Sequence, residues 1–181
     1  MSIETEVKVK IEDAESFCRC LDSRNARVVS GRHFEDNHLL DFPDGRLGSG
    51  KCLLRVRFAG ELSLLTYKGA PDPEGIFKTR EEFETKLQDG ATALQILERI
   101  GMQVCFRYQK YRREYLLNGV QVAVDETPIG NFAEFEGSKD AIRVLARKLN
   151  IAESRFVRLS YYSLYLEFCE EHGKTPGFMT F

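Results

Sequence analysis

Residues 1–11 read MSIETEVKVKI, and their alternation decides how the rest of the chain is read. Ile3, Thr5, Val7, Val9 and Ile11 share one parity; Glu4, Glu6, Lys8 and Lys10 share the other. A strand turns successive side chains to opposite faces, so this is one apolar face backed by one charged face. Along the charged face, neighbours of one parity stand roughly 7 Å apart. Two carboxylates followed by an ammonium at that spacing suit a hard cation and the anion it carries. An edge strand with its charges in water reads the same way. What favours the first reading is recurrence: the parity pattern returns in at least five later segments.

The chain has 181 residues, 43% hydrophobic and 30% charged, which predicts one soluble globular domain. Its 26 basic and 28 acidic residues are interspersed, so neither a nucleic-acid partner nor a membrane surface is expected. Charges begin at Glu4, unlike a signal peptide, and no apolar run approaches the roughly 20 residues of a membrane span. A cytoplasmic location is the resulting expectation. Cys18, Cys20, Cys52, Cys105 and Cys169 show no metal-ligand spacing and read as buried or half-buried free thiols. His33, His38 and His172 are too scattered for a histidine metal site.

Glu12–Asp13 cap a short amphipathic helix reaching about Arg24, with Ala14, Phe17, Cys18 and Leu21 as its apolar stripe. Residues 26–42 read as extended, and residues 41–51 (DFPDGRLGSGK) as a turn-rich loop. Gly45, Gly50 and Lys51 match phosphate-loop spacing, but Cys52 replaces the magnesium-binding hydroxyl and a strand follows where a helix is required. Residues 52–59, 62–68 and 77–86 alternate as strands. Asp89 caps a helix that stops at Gly101. Residues 102–117 and 120–126 form a hairpin about Asn118–Gly119, and residues 132–137 form a last strand. Ser138 caps a helix to Asn150, a final aromatic helix spans residues 161–172, and residues 173–181 form a loose tail.

Eight or nine strands with short turns, and three or four helices outside, predict an antiparallel barrel. The charged parity carries Glu4, Glu6, Lys8, Arg55, Arg57, Lys68, Lys78, Arg80, Glu82, Glu84, Lys110, Arg112, Asp125, Glu134 and Glu136. If the helices cover the apolar face, these charges fill the lumen and need a ligand, because unpaired buried charge is costly. The inverse, an apolar lumen with a lipid-like ligand, remains open from the residues alone.

Taken in order, the motifs resemble the CYTH superfamily of triphosphate tunnel metalloenzymes. Glu4-Thr5-Glu6-Val7-Lys8 matches its ExExK signature, and Leu54-Arg55-Val56-Arg57 its paired-arginine strand. Leu65-Thr66-Tyr67-Lys68-Gly69, Lys78-Thr79-Arg80-Glu81-Glu82, Tyr111-Arg112-Arg113, Asp125 in VDETP, and Glu134-Phe135-Glu136-Gly137 follow. The resemblance runs from Ile3 to about Tyr165 within a domain over residues 1–172. It implies an α+β fold, a closed eight-stranded antiparallel barrel with helices outside, that binds a triphosphate with Mg2+ or Mn2+. By position, the resemblance makes Glu4, Glu6, Glu82, Asp125, Glu134 and Glu136 the metal carboxylates. Lys8, Arg55, Arg57, Lys68, Arg80, Lys110 and Arg112 become the phosphate-binding set. Lys8, Glu6 and Glu136 are the catalytic candidates, Lys8 to orient or deprotonate the nucleophile. Some members add a basic residue from the C-terminal region, for which Lys148 and Lys174 are the candidates.

Stretches KTREEFE and VDETPIGNFAEFEG are similar to those of class IV adenylyl cyclases, which turn ATP into cyclic AMP and pyrophosphate. Other members, thiamine triphosphatases among them, hydrolyse inorganic triphosphate, thiamine triphosphate or nucleoside triphosphates. The direction in which the triphosphate lies separates the two reactions. A binding module without turnover is the alternative of another class, and retention of every carboxylate weighs against it. Family members are often dimers, although no stretch here marks an interface.

Overall fold

The computed structural model describes residues 2–181. Eight strands close into one antiparallel barrel: β1 (Ser2–Ile11), β2 (Arg27–Asp41), β3 (Leu53–Ala59), β4 (Leu62–Lys68), β5 (Lys78–Leu87), β6 (Gln103–Leu117), β7 (Val120–Thr127) and β8 (Gly130–Glu136). Around the barrel the order is β1-β5-β4-β3-β2-β6-β7-β8. Met1, which began the expected first strand, lies outside the described residues. Among those residues no helix is long and apolar enough to cross a membrane.

The helices are α1 (Ala14–Asp22), α2 (Arg46–Ser49), α3 (Gly90–Arg99), α4 (Lys139–Lys148) and α5 (Tyr161–Glu171). Asp13, Asp89, Ser138 and Ser160 cap α1, α3, α4 and α5 by accepting from a backbone N–H of the first turn. Helix α2 is the departure from expectation: the loop after β2 contains one helical turn. Asp41 accepts from the backbone N–H groups of Leu47 and Gly48, which closes that turn.

Val7, Val9 and Ile11 of β1 meet Val120, Val122 and Val124 of β7 and Phe135 of β8 in the main apolar layer. Helices α1 and α4 cover this layer with Ala14, Cys18, Leu21, Ile142 and Leu145. Each large aliphatic side chain buried there contributes about 1.5–3 kcal/mol, which holds the apolar faces outward under the helices. The charged faces are thereby turned into the lumen. Ile3, at the uncovered end of β1, is 63% exposed and so does not join that core.

The Asn118–Gly119 hairpin has φ of 52° and 77° at its two turn residues, the left-handed pair that matches strand twist. Its register sets Arg112 opposite Asp125, and β8 in turn sets Glu134 beside Lys8 and Glu136 beside Glu6.

The C-terminal tail is docked, contrary to the loose segment expected. Met179 lies alongside β6, its N–H donating to the Arg107 carbonyl and its carbonyl accepting from the Gln109 N–H. Its side chain is 1% exposed among Phe106, Tyr108 and Tyr161. The cysteines are free; Cys105 is exposed, not half-buried, because it sits on the outward parity of β6 where no helix covers it.

Candidate active site

The lumen is a cavity of about 560 Å³. Seven carboxylates and eight cationic side chains line it. All seven expected phosphate-binding residues are on its wall: Lys8, Arg55, Arg57, Lys68, Arg80, Lys110 and Arg112. Five of the six expected metal carboxylates are there too: Glu4, Glu6, Glu82, Glu134 and Glu136. The neighbours Lys78 and Glu84 join them.

Asp125 stands apart. It is fully enclosed behind the wall. Its carboxylate accepts from Arg112 twice at 2.7 Å, from Lys110 at 3.0 Å and from the Tyr161 hydroxyl at 2.6 Å. Burial works against the Arg112 charge, but Asp125 and Glu134 hold its pKa well above the usual value. Glu134 takes a further Arg112 hydrogen bond at 2.5 Å and lies 3.2 Å from the Lys8 ammonium.

Lys8 is flanked by Glu134 and, at 3.3 Å, by Glu6. Burial disfavours its charge, yet these two carboxylates raise its pKa above that of a free lysine. Glu6 answers in kind. Burial would raise it, but Lys8 first and Lys78 after it bring it down to about 2. Lys78 has a weaker position, 3.5 Å from the shared Glu6. Burial, and then the Lys8 charge, push it down to about 8. Glu4 bridges Lys68 at 2.6 Å and Arg80 at 3.3 Å.

Two regions of the wall are left out of balance. Arg55 donates to Thr66 and to the Tyr108 hydroxyl, but its buried Nε has no partner among the described residues. Beside it, burial and the Arg55 charge lower the pKa of Arg57, in spite of Glu35 at 3.2 Å. This region carries an excess of positive charge. At Glu136 the imbalance is reversed. No cation lies within salt-bridge distance among the described residues, and burial, with Glu4 second, raises its pKa to about 7. Its side chain opens to solvent, so water screens part of that repulsion. This region carries an excess of negative charge.

The donor chemistry fits a hard divalent ion, which takes carboxylate oxygens. Among the described residues no three such groups converge as they stand, because Glu4, Glu6 and Glu134 are turned onto lysines and arginines. Glu4, Glu6, Glu82, Glu134 and Glu136 are nevertheless the oxygen donors that face the cavity.

The chain's C-terminal contribution is aromatic rather than basic. Lys148 and Lys174 are exposed outside the barrel, Lys174 against the Phe168 ring, because α4 and the end of α5 point these positions to solvent. Ser160, Tyr161 and Tyr162 line the cavity instead. Pairing of β1 with β5 ends at Glu6, and Val157 takes over the free edge by exchanging two backbone hydrogen bonds with Lys8. That anchor delivers Tyr161 between Lys8 and Lys110, whose ammonium groups lie 5.4 and 5.2 Å from its ring centroid. Burial, and then the Asp125 charge, raise the Tyr161 hydroxyl well above its ordinary pKa, so it donates.

Sequence reading also passed over Glu35, Asn37 and Tyr108. Glu35 is 1% exposed and lies against Arg57 and Lys110. All three have the parity of neighbours that face inward, so strand alternation across β2 and β6 carried the signal. Tyr161 had no such signal, since it enters from a helix end.

Comparison with known proteins agrees with this geometry. A Methanocaldococcus jannaschii protein named as a putative adenylate cyclase is 28% identical over 173 residues, covering 90% of this chain and 98% of that one. A conserved hypothetical protein of Pyrococcus furiosus superposes with a TM-score of 0.76 at 26% identity, over 87% of this chain and 97% of that one. A Hippeastrum protein, described as a putative adenylyl cyclase that reveals a dominant triphosphatase activity, has a TM-score of 0.68. It is 16% identical over 96% of this chain and 97% of its own, a likeness of fold alone. The CYTH domain pattern matches residues 2–161, from the first strand of the barrel to the tyrosine that enters its lumen. With the charged closed tunnel that those residues build, this chain belongs to the CYTH domain family.

Proposed function

We propose that the protein is a divalent-metal-dependent enzyme that binds a triphosphate in its lumen and converts ATP to cyclic AMP and pyrophosphate. The observation that carries this reading is the buried, unpartnered Nε of Arg55, next to the underneutralised Arg57, facing a polar cavity. A polyphosphate supplies the missing acceptors, and charge-assisted hydrogen bonds are the strong ones. The name of the Methanocaldococcus jannaschii relative supports the cyclase form of the reaction.

In this reading Arg55, Arg57, Lys68, Arg80, Lys110 and Arg112 hold the phosphates. Glu4, Glu6, Glu82, Glu134 and Glu136 hold magnesium or manganese. When bound, that ion would neutralise charge on the phosphate oxygens and favour their displacement. Asp125, enclosed and already accepting from three side chains, positions Arg112, Lys110 and Tyr161. Lys8, kept charged by two carboxylates, orients an oxygen and does not remove its proton. Lys78 has a pKa near that of a neutral-range base, which suits it to accept the proton of the attacking hydroxyl. Attack of the ribose 3′ oxygen on the α-phosphorus forms the cyclic ester, breaks the bond to the α,β-bridging oxygen, and releases pyrophosphate.

Phosphorus NMR of ATP incubated with the protein and magnesium or manganese tests the proposal. Pyrophosphate with cyclic AMP is the expected outcome. Orthophosphate with ADP would replace cyclisation by hydrolysis at the γ-phosphorus within the same site. An unchanged spectrum with either metal would overturn turnover of ATP.

A further inference from the structure

His33 has no part in the site as described, yet it touches the carboxylate behind the phosphate-binding wall. Strand β2 runs past the end of β3, whose last pair is Ala59 with Glu35. His33 is the next position of the same parity, opposite Arg112 in the β2–β6 ladder, and its side chain is 25% exposed. Its Nδ1 lies 2.9 Å from the Gly31 carbonyl oxygen and 3.1 Å from the Ser30 hydroxyl. Its Nε2 lies 3.5 Å from Glu35 Oε1. A neutral imidazole has one N–H, so either tautomer turns a ring lone pair onto the Gly31 carbonyl or onto Glu35. Only the imidazolium satisfies both. The hydrogen bond to Glu35 accordingly raises the His33 pKa, against burial.

Glu35 is shared. It is 1% exposed and lies 3.2 Å from Arg57 and 3.5 Å from Lys110. The other charged groups facing His33 are Glu114 and Arg112 of β6. We infer that His33 is a positioning residue for the phosphate-binding wall: when protonated it draws Glu35 away from Arg57 and Lys110, so that a proton on His33 and an anion in the lumen favour each other. This rests on the triphosphate reading of the lumen and adds a proton-linked control to it. Loss of the proton returns Glu35 to the two cations and removes one positive charge from beside the wall. The coupling is reciprocal, so a bound anion must raise the His33 midpoint by as much as the proton tightens the anion.

Glu136, Lys78 and the terminal phosphate of the ligand also titrate near neutral pH, so the test reads His33 itself. The chain has three histidines, and proton NMR of the full chain identifies the His33 ring by elimination with His38→Gln and His172→Gln, neither of which lines the cavity. Inorganic triphosphate is added in EDTA or, where the metal-free anion does not bind, with calcium. The anion is expected to raise the His33 midpoint by about 0.5, which by linkage is about threefold in affinity. In calorimetry, affinity should therefore fall about threefold further between pH 6 and pH 8 in wild type than in His33→Gln. Thermal melting checks that His33→Gln folds, and the NMR measurement stands without that variant. A His33 midpoint unmoved by the bound anion, or a variant that weakens binding equally at both pH values, would overturn the inference and leave the triphosphate reading intact. Failure of the anion to bind at either pH, with and without calcium, would overturn the reading itself, and the inference with it.

Discussion

Replacing Asp125 by alanine separates a structural anchor from a metal ligand. The substitution removes two 2.7 Å hydrogen bonds from Arg112, one of 3.0 Å from Lys110 and one of 2.6 Å from Tyr161. Arg112 keeps Glu134 at 2.5 Å, while Lys110 keeps Glu35 at 3.5 Å and the face of the Tyr161 ring. Removing one partner of a buried ion pair costs about 3–5 kcal/mol, and the surviving contacts place Asp125→Ala toward the lower half of that range. Tyr161→Phe loses one hydroxyl and should cost about 1–2 kcal/mol. Because the two residues share a hydrogen bond, the double variant should be less destabilised than the two costs added together. Urea unfolding of the metal-free protein, followed by circular dichroism with an unchanged m-value, measures each loss. Inorganic triphosphate should restore part of the stability of Asp125→Ala, since its oxygens can meet the freed cations. A metal-free loss below about 1 kcal/mol, with metal-dependent stabilisation abolished, would refute the anchor role and return Asp125 to the metal set.

Arg55→Ala removes the donor with the free Nε, and triphosphate affinity measured by calorimetry should fall by about 10- to 100-fold, the worth of one or two charge-assisted hydrogen bonds. Glu6→Gln and Glu136→Gln should abolish turnover of ATP in the phosphorus NMR assay with the melting profile preserved; full activity in either would remove it from the metal-binding set. Lys78 falls from the ordinary lysine value to about 8 in the folded protein, so between those values the unfolded chain binds more protons and stability rises with pH. Below pH 8 its charge costs about 3–4 kcal/mol by that shift, so Lys78→Met should be more stable than wild type at pH 7 and lack the alkaline rise. Truncation after Pro176 removes Met179 from its seat on β6 and should lower unfolding stability by about 2–4 kcal/mol, whereas a free tail would leave it unchanged.

The sequence by itself determined the barrel and most of its wall. Alternation in β1, β3, β5, β7 and β8 is a local property of the extended chain, so parity alone sorted Glu4, Glu6, Arg55, Arg57, Arg80 and Glu134 onto one face. Capping residues and the Asn118–Gly119 turn act over three or four positions, and they marked helix starts and one hairpin correctly. Which face would be the inside was not a local property. It follows from helices α1 and α4 covering the apolar parity, a competition between burial of aliphatic surface and hydration of charge that only the assembled barrel resolves. Tertiary structure also decided the ion-pair partners. Asp125 and Glu134 share a parity-based role in the sequence, yet closure of β6, β7 and β8 gives one to an enclosed anchor and leaves the other on the cavity wall. Tyr161 and Met179 enter through backbone contacts with strands far away in the chain, at Lys8 and at Arg107 and Gln109. No periodicity could announce them, because their positions depend on which strand edges the closed barrel leaves free.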